Sequence, residues 1–412
     1  MRANAILRAA FLMFAAICLS FSDSGGRVFA QDPASDVGGS AGVFRAKNPE
    51  TNKKKGTKPA ATAKPGSRTT GARGNVAERV EELLDKGNQA RDSRDFAGAE
   101  NSYKEVLKLK PRDARAAYGL GNVYSDQQRW DDAEDAYRNS VAWAPNDADA
   151  HVALSVVLVQ PRVGGDNAKR FSDAEMFARK SVQIDPKNAI GWDRLGVALQ
   201  AKGLTNSETE HSYRRAIELD PQFAVAYAHL ARMLNRAGRP GEAAPFYDKA
   251  IELAKDPATL NLIADSLQNE QLWPQSEPVL KRALELDARN PTSLILMGRL
   301  LIVYKRYQEA EPYLKSATEV SSRAFQPFNL LGRAYLGMDR FSDAEATYER
   351  ASEFAGAGEK KQLAGVFGFE GVGDGYLKSN QKDKAARAYQ RALELDPANS
   401  GAAAKLARAR SN

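Results

Sequence analysis

The sequence predicts an all-α chain: nine stacked helix pairs closed by one more C-terminal helix. Three observations carry that prediction. A nine-residue phrase occurs twice, as YRRAIELDP at Tyr213 to Pro221 and as YQRALELDP at Tyr389 to Pro397. Bulky and small residues recur around both copies with a period near 34 residues. Proline closes five of the units, at Pro111, Pro145, Pro186, Pro221 and Pro397. Self-similarity at such a period marks a repeat architecture, and proline stops a helix because it cannot continue the hydrogen-bond ladder.

The front of the chain reads differently. Arg2 and Arg8 precede an apolar run, AAFLMFAAICLSF at Ala9 to Phe21, which is short for a bilayer span. Gly25 and Gly26 follow, then VFA at Val28 to Ala30. This layout predicts an export signal over residues 1–30 and a periplasmic or secreted protein. An uncleaved inner-membrane anchor is the alternative. Cys18 is the only cysteine, so a cleaved chain has no disulfide and no thiolate metal site. Residues 31–79 are rich in Lys, Pro, Gly and Thr, with few large apolar side chains. They predict a disordered basic linker, with peripheral contact to a membrane or cell wall as its sharper reading.

The repeats occupy residues 80–397. One column of large residues reads Tyr103, Tyr137, Ala178, Tyr213, Tyr247, Leu280, Leu314, Tyr348 and Tyr389. A small column reads Gly87, Gly121, Ser155, Gly196, Ala231, Ala264, Gly298, Gly332 and Gly373. A second bulky column runs from Ala90 and Tyr124 to Tyr335 and Tyr376, and a second small column from Ala99 and Ala133 to Ala385. Spacings of three and four put one apolar stripe on each helix. The small residues let paired helices approach closely. Units begin near Val80, Ala114, Ala148, Ala189, Ala224, Pro257, Pro291, Phe325 and Val366. Ser172 with Glu175, and Ser342 with Glu345, have capping-box spacing for the second helix, and Asp131 is placed for the same role. Pro245, Pro278 and Pro312 stand at one position just inside three second helices, predicting a late start or a missing bond there. Residues 398–412 predict a capping helix and tail.

This pattern resembles the tetratricopeptide repeat family, in which helix A carries the bulky–Gly pair, helix B carries Ala and an aromatic, and Pro ends the unit. The resemblance implies a right-handed superhelical solenoid whose concave face, lined by helix A, binds proteins or peptides. Two insertions interrupt the pattern, at Val159 to Arg170 and at Gly356 to Gly365. Groove candidates from the outward columns of helix A are Asn88, Tyr118, Asn122, Asp193, Arg232, Arg236, Asn261, Asp265, Arg299, Asn329 and Arg333. Arg232, Arg236, Arg299 and Arg333 point to acidic or carboxylate-bearing partner segments, with internal pairing to Asp193 and Asp265 as the competing reading. Some relatives clamp a terminal carboxylate. Asn88 matches one clamp residue, but Leu84, Gly119, Asp149 and Ala153 depart from the rest. The outward column lacks an unbroken run of Asn, which argues against an asparagine ladder gripping a peptide backbone.

No catalytic constellation is visible. His151, His211 and His229 lack ligand spacing, and the glycine clusters fall inside helices rather than after strands. The reading is a non-enzyme without cofactor or metal. The total charge is +7, but ten Lys/Arg against four Asp/Glu in residues 31–79 supply most of it. A near-neutral repeat body argues against nucleic acid. The functional expectation is a protein-binding scaffold of the bacterial envelope. The alternatives are a periplasmic assembly factor for pilus, secretion or outer-membrane machinery, and a glycan or cell-wall-polymer module using Tyr118 and Phe367 for stacking.

Overall fold

The structure, a computed structural model, describes residues 46–51, 68–160, 162 and 165–411. The expected signal segment lies outside the described residues, as does most of the linker. Helix A of the nine pairs spans Arg68–Asp92 (α1), Ala114–Asp126 (α3), Ala148–Leu158 (α5), Ala189–Ala201 (α7), Ala224–Arg236 (α9), Pro257–Asn269 (α11), Pro291–Val303 (α13), Phe325–Gly337 (α15) and Phe369–Lys378 (α18). Helix B spans Phe96–Leu109 (α2), Trp130–Trp143 (α4), Asn167–Ile184 (α6), Ser207–Leu219 (α8), Pro240–Leu253 (α10), Trp273–Leu286 (α12), Tyr307–Val320 (α14), Phe341–Ser352 (α16) and Lys382–Leu395 (α19). A short helix, Ala357–Ala364 (α17), occupies the second insertion, and Ser400–Ser411 (α20) follows the last pair. The fold is an all-helical solenoid of helix pairs.

Seven A helices begin where the repeat pattern puts them. The first begins earlier, at Arg68, inside the stretch read as linker, and the last begins at Phe369. Most successive A helices touch each other, whereas a B helix packs on the next A helix and makes at most slight contact with the next B. The A helices therefore line the inner, concave side of the curve.

The two columns interlock. A Cβ added at Gly121 would lie 2.5 Å from the ring of Tyr137, and one at Gly332 would lie 2.4 Å from Tyr348. Tyr103, Tyr213, Tyr348 and Tyr389 are fully buried. Each of these units thus closes on one large ring seated over one absent side chain.

Capping differs from the sequence expectation. Ser172 lies inside α6, whose cap is Asp166. Asp131 and Ser342 sit within the first turns of α4 and α16, after the caps Arg129 and Arg340. Side-chain caps occur on both kinds of helix: Asp95, Asp166 and Asn206 cap the B helices α2, α6 and α8, and five A helices are capped likewise. Asp113, Asp147, Asn188, Asp256 and Asn290 accept first-turn N–H groups. Helices α4, α14 and α16 have no side-chain cap, and the A–B turn ties their entry. The Arg129 N–H bonds to Tyr124 O at 2.9 Å, Arg306 to Leu301 O at 2.8 Å and Arg340 to Tyr335 O at 2.9 Å. Each follows a residue at positive φ, namely Gln128, Lys305 and Asp339. This is a Schellman-type closure.

The three prolines do not delay their helices. Each falls at the sixth residue of α10, α12 or α14, on an exposed face. The residue whose carbonyl loses its N–H partner, Gly241, Pro274 or Gln308, is itself exposed, so that carbonyl is open to solvent.

Candidate functional site

The site starts from Tyr103 and Tyr137. Each hydroxyl donates across its helix pair, Tyr103 to Asn88 Oδ1 and Tyr137 to Asn122 Oδ1, both at 2.8 Å. Accepting that bond fixes each amide and aims its NH₂ group into the concave face. There the two amides meet an extended stretch of the chain's own N-terminal region. Asn88 Nδ2 donates to Pro49 O at 3.0 Å, and Asn122 Nδ2 donates to Lys47 O at 2.8 Å. An asparagine ladder thus exists over the first two repeats, contrary to the sequence argument against one. It ends where the column turns to Val156 and Val197, both buried and without donors.

Arg91 completes the grip, and the sequence reading missed it. Its guanidinium is buried and binds Asp126 of the next repeat through Nε and Nη2, at 2.8 and 3.1 Å. Nη1 donates to Ala46 O at 2.6 Å and to Asn48 Oδ1 at 3.0 Å. Burial works against its charge, but Asp126 outweighs that cost and holds Arg91 protonated. Asn48 Nδ2 donates to Asp92 Oδ2 at 3.0 Å, and Arg115 reaches Glu50 O at 3.3 Å. Ala46 and Pro49 are buried; Lys47 and Glu50 are exposed. The available signal was a break in a column. Arg91 stands where the later repeats carry Ser125, Val159, Gln200, Asn235, Gln268, Ile302, Leu336 and Leu377.

The middle of the array pairs largely with itself, leaving Gln200 Nε2 and His229 Nε2 buried without a hydrogen-bond partner among the described residues. Asp193 is fully buried, accepts from His229 Nδ1 at 2.8 Å and pairs with Arg194 at 3.0 Å. Burial disfavours its charge, yet His229 and Arg194 outweigh this and hold its carboxyl low. Arg232 is buried beside it. Arg236 binds Glu270 at 2.7 Å. Arg299 binds Asp265 at 2.6 Å and Gln268 at 2.7 Å. Asn261 exchanges hydrogen bonds with Asn290 and Ser293. Internal pairing therefore accounts for most of the charged column. Tyr118 is buried against Tyr137 and offers no exposed ring. Asn329 and Arg333 remain half-buried on the concave side of α15. The Arg333 guanidinium lies 5.1 Å from the Phe367 ring, and its Nε has no hydrogen-bond partner. Burial lowers its pKa, and Phe367 is 49% exposed. His151 is buried, its Nδ1 2.8 Å from Asp147 O, in a packing role.

Comparison with known proteins agrees with this geometry. One tetratricopeptide repeat profile matches residues 84–151 and 206–258, and another matches residues 367–399. The chain is similar to cellulose synthase operon protein C of Xanthomonas axonopodis pv. citri (strain 306), 32% identical over 178 residues. That match spans 42% of this chain and only 12% of the relative. Among solved structures, it is similar to a thermophilic TPR protein of Thermus thermophilus at 22% identity, covering 46% of this chain and 99% of that one, with a TM-score of 0.40. A chain of the APC/C hetero-tetramer Cut9-Hcn1 aligns at 14% identity over 83% of this chain and 88% of that one, with a TM-score of 0.38. The period, the interlocked columns and the profile matches converge: the chain belongs to the tetratricopeptide repeat family.

Proposed function

We propose that this protein is a non-catalytic scaffold of the bacterial envelope, holding partner proteins by extended segments laid along its concave face. The observation that carries the reading is the seat of residues 46–51. Donors preset by the fold bind main-chain carbonyls there, which is how a groove accepts a peptide without depending on its side chains. The export layout of residues 1–30 supports the envelope, and an assembly factor for surface machinery falls within this reading. Acidic partners find support at Arg333 alone, because Arg236 and Arg299 already hold carboxylates. A glycan-associated role is the second reading, favoured by the name of the partial relative and by the exposed Phe367 ring.

The test is a photo-crosslinking residue placed at Asn329, with the exposed Met176 of α6 as control, followed by incubation with an envelope extract. Polypeptide adducts from Asn329 and none from Met176 are expected. No adducts, or glycan adducts alone, would overturn the scaffold reading.

A further inference from the structure

Residues 46–51 have the chemistry of a ligand rather than of a structural strand. Four of their carbonyls are bound by donors of the array, those of Ala46, Lys47, Pro49 and Glu50. Every principal donor is held by a bond that does not involve the segment. Asn88 is set by Tyr103, Asn122 by Tyr137 and Arg91 by Asp126. The site is therefore organised before the segment arrives, which lowers the cost of binding. The segment is prepared too. A residue before proline is biased to extended backbone, so Asn48-Pro49 enters the groove in nearly its bound form. Specificity is confined to three points: a small residue buried at Ala46, the Asn48 amide between Arg91 and Asp92, and Pro49 buried beside Asn88.

We propose that Ala46 to Thr51 is a built-in ligand that closes the first station of the groove until a partner segment of similar form, small-x-Asn-Pro, displaces it. The proposal rests on the scaffold reading. It adds that the first station is closed in cis and names what opens it. The linkage between Thr51 and Arg68 keeps the segment beside its site. Such tethers give effective concentrations on the order of millimolar. A free peptide of the same sequence with a dissociation constant of about 0.1 mM would then bind the intact chain roughly 10-fold more weakly than an opened one.

The experiment uses the full chain, a capped fluorescent peptide Ala-Lys-Asn-Pro-Glu-Thr, and fluorescence anisotropy. The double variant Asn48→Gly with Pro49→Gly is the opened form. It is expected to bind the peptide roughly 10-fold more tightly than the intact chain. Adding Asn122→Asp should abolish that gain, since the carboxylate still accepts from Tyr137 but faces the Lys47 carbonyl position without a donor. A melting curve matching that of the opened form shows that this variant folds. Equal binding by intact and opened chains, or no binding by the opened chain, overturns the proposal. So does a concentration-dependent dimer of the intact chain that the opening variant dissolves, because the segment would then act on a second copy. Crosslinking at Asn329 reads the scaffold function separately and is untouched by failure at the first station.

Discussion

Asn122 is wholly buried, takes a hydroxyl on one side and presents a donor on the other. Its neighbours decide its role, since the same column holds Val156 and Val197 in the next two repeats. His229 shows the same dependence on surroundings. It is buried against Asp193, and burial first, with Arg232 and Arg194 behind it, lowers its pKa below the ordinary 6.5. In the unfolded chain that imidazole takes a proton near 6.5, while the folded chain resists, so stability falls as pH drops below about 6.5. A second loss follows below about 4.5, where carboxylates held low by cationic partners, Glu210 and Glu277 among them, must protonate. Urea midpoints measured at about pH 7.5 and about pH 5.5, either side of that imidazole value, are expected to fall for the wild type and to fall less for His229→Asn. An equal drop in both would remove His229 from the account.

At the scale of elements, the A–B turn is the device that repeats most faithfully. Its positive-φ position is filled by Arg94, Gln128, Gly203, Gly238, Gln271, Lys305, Asp339 and Asn380. A side chain there costs roughly 1–2 kcal/mol where glycine would not. Nothing lies within 4 Å of a Cβ at Gly238, so Gly238→Ala isolates the conformational term. It should lower the unfolding free energy by about 1 kcal/mol in urea titration, and Lys305→Gly should raise it by a similar amount. Opposite signs are the diagnostic. The sequence made the starts of seven A helices legible to the residue, five of which follow an Asp or Asn cap. It misdirected the B-helix caps, since Ser-x-x-Glu satisfies a local rule while the actual tie is a backbone bond reaching back into helix A. It also hid the groove's occupant. Ala46 to Thr51 have no period and no amphipathic stripe, and their contacts to Arg91 are made across more than forty positions of sequence.

On the whole-molecule scale, a ladder of ion pairs joins B helices to the following A–B turn. Its rungs are Glu100–Arg129, Glu175–Lys202, Glu210–Arg239, Glu277–Arg306 and Glu311–Arg340. Each rung is open to water and weak on its own, but repeat arrays sum such neighbour terms. Two rungs are missing among the described residues: Gln381 stands where the last A–B turn would offer Arg, and the other gap is interior. Ala244 stands where α10 would offer Glu, and Leu272 where the next turn would offer Arg. The link from α10 to α11 holds only residues 254–256, against 220–223 between α8 and α9. Among the described junctions, α10 touches its following A helix least. Arg282 partly compensates through Ile251 O and Ala254 O, at 2.6 and 2.8 Å. Hydrogen exchange should therefore be faster across Leu253 to Leu260 than across the matching stretch between α8 and α9. Equal protection would deny the weak junction.

That gap gives the chain an unusual breaking pattern. Arrays of stacked repeats ordinarily fray from their ends, where each terminal unit has one neighbour. Here the N-terminal end is buttoned by Ala46 to Thr51, and the C-terminal end is pinned by Lys405 to Glu370 and Asp374, both at 2.7 Å. The weakest seam is interior. Under mild denaturant the molecule should part near Ala254 into two blocks that melt separately, the way a chain of magnets snaps at its one reversed joint rather than shedding from its tips.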